Sequence, residues 1–342
     1  MRLEPVAPCF VDWVNIQQKH NGLNDLNGGY FMELESDDSP VWKTAKHLRV
    51  EGSFSTAVLV RSFAGQVELR GNVGRWCRAD NVFNVDFNTT ILRSNQIIDC
   101  YGLPHFCDDG EYWTDKDGVV RSNGAAVTRL DLTRNYSTGS QDDAVRYMAW
   151  LDGLSLPYIR RGRKVGSTTV QWGSNTGRYK LIAYNKAVEM VDHAKNEEHR
   201  AEIKASKIYQ YCLENGIVRV ELKLGRLELE DKGLRFLGDI TMEKLQAFFD
   251  EKVHFLHGAK VRDELDLAAL PQHVRLTYSA YMSGVDVTQI LSRATLFRHA
   301  KFLRVFGVDI LSAPDVLRLK TQVREIHVQA VDAPEWYWQK AA

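Results

Sequence analysis

A chain of 342 residues with 44 basic and 44 acidic side chains carries no formal net charge, so any surface for nucleic acid must be a local basic patch. A hydrophobic share of 44% and a charged share of 26% exclude a globally disordered chain and suit two domains, or one large domain with an appendage. The five cysteines, Cys9, Cys77, Cys100, Cys107 and Cys212, form no Cys-x-x-Cys pair, which argues against a disulfide framework or a four-cysteine zinc site. The N-terminus lacks a secretory pattern, and no apolar run approaches the roughly 20 residues of a membrane helix. The expectation is a soluble protein of the cytoplasm with no membrane partner.

The first hundred residues are rich in strand patterns, at 10–14, 30–34, 47–51, 56–60 and 66–69, separated by turn signals such as Asn27-Gly28-Gly29 and Ala64-Gly65. A helix is predicted over 88–100 and a turn-rich connection over 102–124. Then VTRLDLT (127–133) alternates, with Arg129 and Asp131 on one face and Leu130 and Leu132 on the other. A helix over 141–154 follows, capped by Ser140 or Asp142. IRRGRKVG (159–166) is a basic loop holding Arg160, Arg161, Arg163 and Lys164. Two strands joined by a glycine turn span 168–185, a long polar helix spans 187–212, and IVRVELKL (217–224) is a strand with Arg219, Glu221 and Lys223 on one face. From 241 onward the pattern is helical, at 242–257, 276–282, 287–291 and 295–306.

The order from residue 127 is β-α-β-β-α-β, the ferredoxin-like split arrangement. The predicted fold is therefore α+β: an N-terminal β-rich region (1–115), a βαββαβ core (116–240) and a helical C-terminal module (241–342). In the usual strand order, 4-1-3-2, Asp131 lies on the central strand, with Glu221 and Tyr184 on its two neighbours, and both helices cover one side of the sheet.

Tyr184 stands where the second strand of the core hairpin ends, with Lys186 two residues on and Glu189 in the first helical turn. On physics alone such a tyrosine is most often a half-buried aromatic with a satisfied hydroxyl. As a nucleophile it needs help toward the anion, since a free phenol has a pKa near ~10, and Lys186 is placed to supply it. Asp131 and Glu221 on one sheet face repel unless something positive lies between them. A salt-bridge ladder with Arg219 and Arg129 answers that; so does a hard divalent ion such as Mg²⁺. Glu51 in LRVEG is a third candidate ligand. The basic loop and the predicted helix bearing Arg298, His299, Lys301 and Arg304 are candidate DNA contacts. Trp336, Tyr337 and Trp338 are expected to pack the tail onto the domain more than to stack on bases.

With these residues in view, the chain resembles the gene II replication initiators of filamentous phages. The resemblance runs through FVDWV (10–14), LRVEG (48–52), GNVGRWCRADNVF (71–83), TRLDLT (128–133), STTVQWG (167–173), LIAYNKAVE (181–189), IVRVELK (217–223) and PEWY (334–337). The general RxD, YxK and RxE theme is shared with the more distant plasmid rolling-circle initiators. The resemblance implies a nuclease core of the HUH type, although no His-x-His pair is present, so carboxylates would have to hold the ion, Mg²⁺ or Mn²⁺. It implies that Tyr184 is the nucleophile, accompanied by Lys186, with Asp131 and Glu221 at the matching acidic positions. The implied function is rolling-circle initiation: nicking of the phage origin through a 5′-phosphotyrosine and rejoining of the displaced circle. Its partners would be double- and single-stranded origin DNA and a host helicase and polymerase. The alternatives are a non-enzymatic phage DNA-binding protein and a metal-dependent nuclease that uses water.

Overall fold

Strand β1 (Phe10–Lys19) forms because Val14, Ile16 and Gln18 alternate toward the interior. A computed structural model describes residues 8–21, 23–37, 39–154, 168–174, 177–258, 270–304, 308–311 and 326–339. After β1 come β2 (Tyr30–Leu34), β3 (Pro40–Ala45), β4 (Leu48–Glu51), β5 (Ala57–Phe63) and β6 (Gln66–Gly71). Helix α1 (Phe87–Asp99) starts where Asp86 Oδ1 accepts the Thr89 amide at 2.7 Å. A small hairpin, β7 (Tyr112–Thr114) and β8 (Val120–Ser122), precedes the long β9 (Ala126–Ser137) and α2 (Gln141–Gly153), which Ser140 caps.

The hairpin β10 (Thr169–Trp172) and β11 (Tyr179–Asn185) leads into α3 (Lys186–Asp192), α4 (Glu197–Ala205), α5 (Lys207–Glu214) and β12 (Ile217–Gly225). The single helix predicted over 187–212 is thus three helices. Asn196 and Ser206 each accept a free amide as a new N-cap, and each restarts the chain in a new direction. The chain continues through α6 (Arg226–Asp231), α7 (Met242–Val253), α8 (Gln272–Met282), α9 (Val287–Ile290), α10 (Arg293–Arg304), β13 (Gln329–Ala330) and α11 (Glu335–Trp338).

The element order of the core is the predicted β-α-β-β-α-β, but its strands lie in a different order. One antiparallel sheet runs β10-β11-β12-β9-β1-β6-β5-β4, with β13 added beside β9. In core terms this is 2-3-4-1, so β12 and not β9 lies between the other two site strands. The reason is burial. Residues 217–222 of β12 are buried on both faces, and the buried N–H and C=O groups along both edges of such a strand need partner strands. It finds them in register, Leu222 against Leu181 and Leu132, and Val220 against Ala183. Each such buried aliphatic side chain is worth about 2 kcal/mol.

Helices α2 and α7 cover the apolar face of these strands, through Tyr147, Leu151, Leu245 and Phe249 against Leu130, Leu132 and Leu222. Helices α3 and α5 instead cover one end of the other face, where Ala187, Ile208 and Cys212 join Phe10, Ile217 and Phe83. The expectation that both core helices share one side is corrected accordingly. Because β1 pairs with β9 along most of its length, strands on either side of residue 115 belong to one sheet. Helices α8–α10 have a separate cluster that includes Val274, Val287, Leu296 and Leu303. The β2–β3 ribbon leaves Phe31, Met32 and Trp42 exposed. Among the described residues, no helix is long and apolar enough to cross a membrane.

Candidate active site

Period-two alternation puts Arg219, Glu221 and Lys223 of β12 on the face away from α2. Opposite residues of an antiparallel pair share a face. The register sets Tyr184 against Arg219 and Lys180 against Lys223 on one side, and Asp131 against Lys223 and Thr133 against Glu221 on the other. The strand order differs from the one predicted, yet Asp131, Glu221 and Tyr184 still meet on one face.

The Tyr184 hydroxyl donates to Glu221 Oε1 at 2.5 Å. Lys223 Nζ lies 3.2 Å from Glu221 Oε2 and 3.8 Å from Asp131 Oδ2. Arg129 donates to both oxygens of Asp131, at 2.9 and 2.6 Å. The acids are therefore balanced by a ladder, but Arg129 and Lys223 make it. Arg219 turns to the loop over 72–86: its Nη2 donates to the Asn81 and Val82 carbonyls at 2.5 Å, and its Nε donates to Asn135.

Lys186 is fully buried. Its ammonium donates to Glu189 Oε2 at 2.7 Å and to Asn81 Oδ1 at 3.1 Å. It lies 5.8 Å from the centre of the Tyr184 ring, so the partner of the phenol is Glu221, and Lys186 is tied to Glu189. Asn185 ends β11 by capping α3, which fixes Tyr184 as the last outward residue of the strand.

Electrostatics follow from burial. Tyr184 is 7% exposed, and burial pushes its hydroxyl well above the usual phenol value. Arg219 works against that shift, while Glu221, Glu189 and Asp12 reinforce it. At rest it is a phenol. Burial also opposes ionisation of Glu221, but Lys223, the Tyr184 hydroxyl and Arg219 together hold it below the ordinary carboxylate value. At Asp131 burial wins over Arg129 and Lys223 and the carboxyl is raised. A charged acceptor thus faces an uncharged donor, which is the arrangement of a general base with its substrate proton.

Asp12 is a residue that sequence reasoning missed. A bulge in β1, between Val11 and Trp13, breaks the pairing with β9 at this position. Its carboxylate accepts from Asn72 at 2.8 Å and Asn81 at 3.2 Å. Burial raises it, and Arg219, Glu221 and Lys186 are the charges that act on it. FVDWV was legible as a strand, but a bulge depends on the partner strand and leaves no local mark.

The other candidates are dispersed. Glu51 is exposed on β4, beside Arg49 at 2.5 Å, with β5, β6 and β1 between it and β9. Arg160, Arg161, Arg163 and Lys164 lie outside the described residues. On α10, Arg298 and Lys301 are exposed, Arg304 pairs with Asp309 at 3.3 Å, and His299 is buried against Thr277. Tyr337 of α11 reaches the 72–86 loop, donating to Asp80 at 2.5 Å and accepting from Arg78 at 2.7 Å and the Phe83 amide at 3.1 Å.

Among the described residues, no group of three or more His, Cys, Asp or Glu side chains is gathered to hold a metal ion. Asp131 and Glu221 nevertheless offer the hard oxygens a small divalent ion takes, and one ammonium already sits between them. Their chemistry fits one such ion in the place of that ammonium.

A family model for the N-terminal part of the phage replication-associated gene II protein matches residues 10–243, and one for the C-terminal part of the same protein matches 264–342. The replication-associated gene II protein of Enterobacteria phage I2-2 is 26% identical over 303 residues, 85% of each chain. That of Escherichia phage If1 is 27% identical over 308 residues, 79% of this chain and 94% of the relative. Among solved structures, a rolling circle replication initiator protein from Geobacillus stearothermophilus aligns with TM-score 0.30 and 10% identity, over 71% of this chain and 84% of that one.

Proposed function

The chain belongs to the family of replication-associated gene II proteins, and from that premise we propose that it initiates rolling-circle replication by nicking and rejoining one strand of a phage origin. The observation that carries this reading is the hydrogen bond from the Tyr184 hydroxyl to Glu221, on a face shared with Asp131. A single-stranded segment of the origin lies across the polar face of the sheet. Glu221 takes the phenol proton on Oε1 as the Tyr184 oxygen attacks the scissile phosphorus in line. The bond to the 3′ oxygen breaks, and that oxygen leaves with a proton from solvent. The 5′ phosphate stays on Tyr184, and the free 3′-OH serves a host polymerase while a host helicase opens the duplex. Attack of a 3′-OH on the phosphotyrosine reverses the step and closes the displaced circle.

Asp131 and Oε2 of Glu221 would hold a Mg²⁺ or Mn²⁺ ion, which would supply positive charge to the non-bridging phosphate oxygens. Lys186, clamped by Glu189 and Asn81, keeps the Tyr184 end of β11 and the 72–86 loop together. Arg298 and Lys301 of α10, with the basic sequence 159–166, are the duplex contacts of this reading.

An origin oligonucleotide with a cleavable scissile linkage tests it. The wild type is expected to leave a denaturation-resistant protein–DNA adduct only with Mg²⁺ or Mn²⁺, and Tyr184→Phe to shift the DNA without forming it. An adduct that survives in Tyr184→Phe assigns the nucleophile elsewhere, to Tyr179 first. The Arg129–Asp131–Lys223–Glu221 ladder favours a second reading, a DNA binder without catalysis, in which these charges only neutralise one another. That protein would shift the origin and never nick it.

A further inference from the structure

Lys223 belongs to the charge ladder of the site but takes no part in the proposed nicking step. Lys223 follows Glu221 by two positions on β12, so it projects to the same face, and it stands opposite Asp131 on β9. Its ammonium is 3.2 Å from Glu221 Oε2 and 3.8 Å from Asp131 Oδ2. An ion bound by both carboxylates needs that same place, because two neighbouring acids are balanced by a positive charge between them.

The two cations of the ladder are held differently. Arg129 makes two directed hydrogen bonds to Asp131, a geometry that fixes a planar guanidinium. Lys223 is a point charge on a flexible stem, with 31% of its side chain exposed, and its contacts at 3.2 and 3.8 Å lack the paired geometry of Arg129. Lys180 stands directly across the β11–β12 pair, and a like charge at that position favours the departure of Lys223.

Resting on the reading of Asp131 and Glu221 as ion ligands, we propose that Lys223 is the built-in counter-ion of the site. Its ammonium holds the two carboxylates in place until a divalent ion displaces it. The metal then enters a site that is already formed and neutral, and its apparent affinity is lowered by the competing charge.

Binding of Mn²⁺ alone to the full chain, followed by the loss of the free-ion EPR signal at low salt, tests this without any turnover. Lys223→Met keeps the aliphatic stem and removes the charge. It is expected to bind one Mn²⁺ about tenfold or more tightly than the wild type, and Lys180→Met to change the affinity by clearly less. If Lys223→Met fails to fold by circular dichroism, Lys223→Gln gives the same readout. Equal or weaker binding by a folded Lys223 variant overturns the proposal. Equal tightening in Lys180→Met also overturns it, since general charge and not the occupied position would then be responsible. Adding Asp131→Asn to Lys223→Met should abolish the tight site. Affinity unchanged by that addition sinks the ligand reading, and this proposal with it.

Discussion

In the proposed reaction Tyr184 and Glu221 divide one task between them. Burial keeps the phenol protonated and neighbouring cations keep the carboxylate charged, so the proposed attack by the oxygen has a proton acceptor at hand. The same contest between burial and pairing is measurable at Glu68, away from the site. Burial opposes its ionisation, but His47 at 3.0 Å, Arg70 at 2.8 Å and Arg61 outweigh it and hold the carboxyl down to about 2. A carboxylate whose value is depressed by folding stabilises the fold above its unfolded value and loses that contribution as pH falls through the folded one. Glu68→Gln is therefore expected to cost up to about 3 kcal/mol at neutral pH. The deficit should shrink as pH falls from ~4.5 toward 2. Urea unfolding of both proteins across that range checks it, and a pH-independent deficit would leave pairing out of the explanation.

At the scale of elements, strands bring the chemistry together and helices carry the outer surface. Helix α10 turns Leu296, Ala300 and Leu303 inward and leaves Arg298 and Lys301 in solvent. If these two contact phosphates, Arg298→Ala and Lys301→Ala should each weaken origin and unrelated DNA alike and lower the slope of log affinity against log salt by about 1. Titrations at several salt concentrations measure this; an unchanged slope removes α10 from the interface.

Much of this level was legible in advance. Residues 30–34 emerge as β2 with the predicted bounds, and the alternation in VTRLDLT and IVRVELKL reveals which side chains share a face. The break-up of 187–212 was missed, although Asn196 and Ser206, two capping residues inside a helical pattern, mark it. The bulge that displaces Asp12 has no such mark, because it exists only in the pairing of β1 with β9.

Across the whole molecule, the C-terminal residues return to the site. β13 pairs with the end of β9, and α11 sets Tyr337 among Asp80, Arg78 and Phe83. The loop so held presents Asn81 to Asp12 and to Lys186. Tyr337→Phe removes the hydroxyl and should lower stability by about 1–3 kcal/mol. It should also slow adduct formation while origin binding persists. A thermal melt and the adduct assay together decide this, and an unaltered melt and rate would mean that the loop is held elsewhere.

Local physics, read along the chain, sets which residues alternate, where caps start helices, and that Tyr184 closes a strand before a helix. Only the folded arrangement makes β12 central, puts Lys223 between the two acids, brings Asp12 within reach of the charge on Glu221 and keeps Glu51 away. Those outcomes depend on which buried faces must cover one another between strands distant in the chain, and no window of neighbouring residues contains that information.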